Sequence, residues 1–77
     1  MRNQYGSFVA AVRARLERAK TPDEVRELAA AVTDFRINLL KKGQEDSVAG
    51  DEARTAARLC NERLTELLIE ELNKLFD

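Results

Sequence analysis

The sequence predicts an all-α protein, a three-helix up-down-up bundle with a long C-terminal helix, completed by dimerisation. Large apolar side chains recur at spacings of three and four along nearly the whole chain, and no stretch alternates as a strand would. Two breaks, at Thr21-Pro22 and at residues 43–50, divide that pattern into three segments. Connections this short make consecutive helices antiparallel neighbours.

The first segment, residues 4–19, carries Tyr5, Phe8, Val9, Val12, Leu16 and Ala19 on one stripe, with Arg13, Arg15 and Arg18 off it. Thr21-Pro22-Asp23-Glu24 then places a capping hydroxyl, a proline at the first helical position and a glutamate three residues after the cap. The second helix, 22–42, buries Val25, Leu28, Ala29, Val32, Phe35 and Leu39. Lys41 and Lys42 suit the negative end of its dipole, and Gly43 supplies a left-handed stop. Asp46, Ser47 and Asp51 are all plausible caps for the third helix, so its start falls between 46 and 51, and Gly50 suggests an irregular first turn. From there to residue 76 the inward stripe reads Ala53, Ala57, Cys60, Leu64, Leu68, Leu72 and Leu75. Arg36 and Asn61 sit near the centres of the second and third stripes, and a buried Asn61 could fix a dimer axis.

Residues 1–77 form one domain, too short to bury most of its surface unaided. With one cysteine and no histidine, neither an internal disulfide nor a structural zinc site is open to it. No metal or cofactor is expected, and a protein partner, most cheaply a second copy, is the remaining source of stability. The N-terminus lacks the apolar core of a secretory signal, no apolar run spans a bilayer, and a lone thiol suits a reducing compartment. The expected location is the cytoplasm, with no membrane partner.

The same inventory argues against catalysis. Ser7, Ser47 and Cys60 have no histidine to activate them, and the adjacent carboxylates Asp51/Glu52 and Glu70/Glu71 diverge by about 100° on a helix. Cys60 reads as a buried structural thiol.

What remains are surfaces. Leu67 and Ile69 flank the stripe of the third helix, and Phe76 extends it, so its C-terminal end is apolar over half its circumference. Ile37, Leu40 and Leu59 point away from their stripes and mark a second apolar face. Ile37, Leu40, Leu59, Leu67, Ile69 and Phe76 are the candidate protein-interaction residues. Such a face has three destinations: the bundle interior, a homodimer seam or a foreign partner.

Charge supplies orientation. Net charge is −1, but residues 1–26 hold six Lys/Arg against three Asp/Glu, and residues 60–77 two against five. Arg13, Arg15, Arg18 and Arg26 form a basic cluster, and Glu62, Glu66 and Glu70 a self-repulsive row expected to pair with it across the bundle. A nucleic-acid partner is disfavoured. The helix that would enter the major groove opens with Asp51-Glu52, which would meet phosphate with like charge.

The stretches Arg15-Leu16-Glu17-Arg18-Ala19-Lys20-Thr21-Pro22-Asp23, Arg63-Leu64-Thr65-Glu66-Leu67 and Asn73-Lys74-Leu75-Phe76-Asp77 faintly resemble the small helical Hha/YmoA regulators. This sequence departs from them in the longer spacing between the pieces and in Asn61, where that family carries an aspartate. The resemblance implies a nucleoid-associated protein as one partner class. The expected function is a non-enzymatic protein-interaction module: a regulator, antagonist or chaperone acting through helix-mediated binding. The alternatives are a nucleic-acid-associated regulator using the basic cluster and a structural subunit of a larger assembly.

Overall fold

The computed structural model describes the backbone of residues 4–76 and the side chains of residues 8–76. It contains three helices, α1 (Gln4–Arg18), α2 (Pro22–Lys41) and α3 (Val48–Phe76), and no strand among the described residues.

The helix ends follow the local chemistry. At the start of α2 the Glu24 amide donates to the Thr21 hydroxyl oxygen at 3.3 Å, and Pro22 occupies the first turn. At its end Gly43 takes φ +72°, its amide donating to the Leu40 carbonyl and the Gln44 amide to the Leu39 carbonyl. Those two bonds satisfy carbonyls the helix leaves over, in the Schellman arrangement.

Ser47 is the cap of α3, accepting from the Gly50 amide at 3.2 Å. Gly50 does not fray the first turn. A Cβ there would lie 1.9 Å from the Glu45 carbonyl oxygen, so glycine lets the incoming loop rest directly on the helix.

α3 is the spine. It packs along both other helices, whereas α1 and α2 approach each other less closely, with the Phe8 and Phe35 ring centroids 4.8 Å apart. Arg63 meets the C-terminal end of α1, and Ala49 and Ala53 meet Leu39 near the end of α2. α1 therefore runs parallel to α3 and α2 antiparallel, the up-down-up order. The molecule is flattened, with extents of 48 × 28 × 15 Å.

The stripes of α1 and α2 lie where their spacing put them. Val12, Leu16, Ala19, Val25, Val32 and Leu39 are buried, and Phe8, Leu28, Ala29 and Phe35 pack against them. Tyr5 and Ser7 lie outside the residues whose side chains are described.

The stripe of α3 differs from the expectation. Its buried residues are Ala49, Gly50, Ala53, Ala56, Cys60 and Leu67, while Ala57 and Leu64 are half-buried and Leu68, Leu72 and Leu75 are exposed. The cause is helical drift. Each four-residue step advances about 40° beyond a full turn, so the row Cys60, Leu64, Leu68, Leu72 winds about 120° away from the core. Asn61 and Arg36, expected near the stripe centres, are both exposed.

Candidate docking surface

The last nine residues of α3, Leu68–Phe76, extend about 14 Å beyond Leu67, the last buried residue of the helix. All nine are exposed, five of them large and apolar: Leu68, Ile69, Leu72, Leu75 and Phe76, at 41–82%. These five share one arc of the helix, centred about 130° around from the buried stripe. The overhang therefore has a face of its own, distinct from the one that α3 turns to the core.

Of the six interaction candidates, Ile69 and Phe76 belong to this overhang. Leu67 does not; it is 4% exposed and closes the core at the point where α1 and α2 run out. Leu59 is half-buried against the core cluster. Ile37 and Leu40 are exposed at the far end of the molecule, where they line a groove of about 280 Å³ with Thr33, Arg36, Gly50 and Arg54. Arg54 is held there by Asp51 and by the Glu45 carbonyl. The overhang side chains Leu68 and Leu72 were missed as surface because their spacing matched a core stripe; the drift of that spacing around the helix and the reach of the neighbouring helices separate the two.

The charged rows converge but do not pair across the bundle. Arg13, Glu62 and Glu66 line one shallow groove together with Glu17, Leu59 and Arg63. Among the described residues the ion pairs are Arg26–Asp23, Arg54–Asp51 and Arg63–Glu66, each within a single helix. Arg15 and Arg18 are exposed, as is Glu70. The basic cluster is interleaved with Glu17, Asp23, Glu24 and Glu27, which dilutes any attraction for a phosphate backbone.

The arginine that reaches across helices is one that composition did not single out. Arg63 donates from Nε to the Leu16 carbonyl at 3.1 Å and from Nη2 to the Ala19 carbonyl at 2.9 Å, while Nη1 donates to Glu66 at 3.2 Å. Its guanidinium thus satisfies carbonyls at the C-terminal end of α1 and suits the negative end of that helix dipole. No sequence spacing signals a contact between residues so far apart.

Cys60 is 1% exposed, and burial pushes its thiol pKa up from the ordinary 9.0. A thiol so placed stays protonated at neutral pH and is a poor nucleophile. Among the described residues no three His, Cys, Asp or Glu side chains gather as a metal site, and no helix is long and apolar enough to cross a membrane. Compared with protein-family models, curated proteins and solved structures, the chain matches none.

Proposed function

We propose that this protein is a non-enzymatic protein-interaction module, a regulator, antagonist or chaperone whose binding element is the C-terminal overhang of α3. The supporting observation is the exposure of Leu68, Ile69, Leu72, Leu75 and Phe76 on a single helical face that none of the described residues covers. Fully burying a side chain of this size stabilises a complex by about 1.5–3 kcal/mol, so five of them, already partly covered, hold on the order of 5–9 kcal/mol in reserve. That reserve is offset by the cost of association, and the surplus would be the affinity. Binding at this face would act by occluding or scaffolding the partner, with the flanking glutamates setting orientation.

The test is site-specific photocrosslinking. A photoreactive residue at Ile69, and for comparison at the exposed Glu27, is irradiated in extract of the source cells. A discrete adduct from position 69 and none from position 27 supports the reading, and its mass separates a second copy from another protein. Equal yields at the two positions, or none at either, would exclude the overhang as a binding element.

A further inference from the structure

We infer that the overhang's occupant is a second copy of this chain, docked antiparallel so that each overhang lies on the other copy's Ile37/Leu40 groove. The inference rests on the overhang being a binding element and names what binds there.

Both apolar patches face the same way. On α3 the groove is walled by Gly50 and Arg54, which lie about 90° and 130° around from the buried stripe, in the same sense as the overhang face centred near 130°. Between them the side of the helix is polar and exposed, with Arg58, Asn61 and Thr65 along it. The steps Arg54, Arg58, Asn61, Thr65, Leu68, Leu72 alternate four and three, the spacing that keeps one seam facing a partner helix.

That seam is lopsided. Its first half is arginine beside an apolar groove, and its second half is leucine. A parallel pairing in register would set Arg54 and Arg58 against their own copies and leave both grooves open. An antiparallel pairing sets each leucine half on the other copy's arginine half, where the arginine stems and Ile37 and Leu40 offer apolar surface. The groove and the overhang are centred about 20 residues, or roughly 30 Å, apart on α3, so the two-fold axis falls midway, beside Asn61.

Charge agrees with this arrangement. The groove rim holds Arg36 and Arg54. Glu45 also lines the groove and Asp51 already pairs Arg54, which leaves Arg36 to meet Glu71 at the border of the overhang's apolar arc. Area agrees as well. About 14 Å of helix end pairing only with its own copy would fall well short of the roughly 800 Å² per partner of a stable interface, whereas two overhang-groove contacts and the seam between them double the buried surface.

Sedimentation equilibrium on the full chain tests this, with circular dichroism confirming that each variant remains helical. The parent is expected to be a dimer in the micromolar range. Leu72→Asp on the overhang and Leu40→Asp in the groove should each weaken it by about thirtyfold or more, because each change occurs twice in the dimer. Glu71→Arg or Arg36→Glu alone should weaken it about tenfold, and the two together should restore most of the loss. A parent that stays monomeric at about 100 μM overturns the inference, as does a dimer that responds to Leu72→Asp but not to Leu40→Asp. A monomeric parent that still crosslinks another protein from position 69 would sink only the second copy; a monomer with no adduct would sink the binding element too.

Discussion

The two ends of α3 invert the usual relation between size and burial. Over Val48–Leu67 the residues turned inward are mostly small: Ala53 and Ala56 are fully buried, and Cys60 nearly so. Over Leu68–Phe76 the side chains are large, and Leu75 and Phe76 are 80% and 82% exposed. Small residues let α1 and α2 come close, and their Val12, Leu16, Val25 and Val32 supply the volume that α3 omits. Past Leu67 no described residue stands opposite, so the same helix carries leucine into water. Burial here is decided by what lies across from a position, and hydrophobicity only makes a residue eligible for it.

The sharpest way to break this contrast is to shorten one leucine on each side of the boundary. Leu67→Ala should cost about 3 kcal/mol of folding stability, since it opens a cavity in the core. Leu72→Ala should change the stability of the isolated chain by less than about 0.5 kcal/mol. Denaturant unfolding at low protein concentration checks both, and equal losses would mean that the overhang is packed in solution.

At the buried end, Gly50→Ala should cost about 2 kcal/mol, because the new methyl would run into the Glu45 backbone carbonyl, which cannot swing aside as a side chain would. The thermal midpoint should fall accordingly, although alanine is the better helix former. At the boundary, Arg63→Ala removes two interhelical hydrogen bonds to carbonyls and should cost about 1.5–2 kcal/mol. Arg63→Lys should recover less than half of this, since one ammonium cannot reproduce the guanidinium fork. Full rescue by lysine would reduce the role of Arg63 to its charge.

The smallest effect is a pH dependence. Burial raises the Cys60 pKa in the folded state above 9.0, so the unfolded chain loses that proton first. The contribution to stability is complete below about pH 8 and lost as pH rises through 9 toward the folded value. Stability measured from pH 7 to 10.5 should fall at the alkaline end in the parent and fall less in Cys60→Ala. The same alkaline slope in both would mean that Cys60 ionises as freely folded as unfolded.

Much of the fold was legible because its signals are local. Thr21, Pro22 and Glu24 act on amides within one turn, and Gly43 acts through its own φ, so neighbours in sequence suffice to read them. The stripes of α1 and α2 were legible too, since each of those helices is covered along most of its length. α3 misled because its leucines follow four-residue steps that drift around the helix, and a periodicity carries no record of where the covering helices end. The same gap hid the burial of Leu67 and Leu59, the exposure of Arg36 and Asn61, and the place of Gly50 under the Glu45 carbonyl.

Residues acting within a turn of themselves thus determined three helices, their caps and stops, and the absence of any strand pattern. Tertiary structure alone decided which face of α3 is core, that Arg63 serves the end of another helix, and that nine residues stand clear with their apolar side outward. The division follows from range. Backbone capping and helical periodicity are settled over a few ångströms along the chain, whereas burial depends on elements that arrive from tens of residues away.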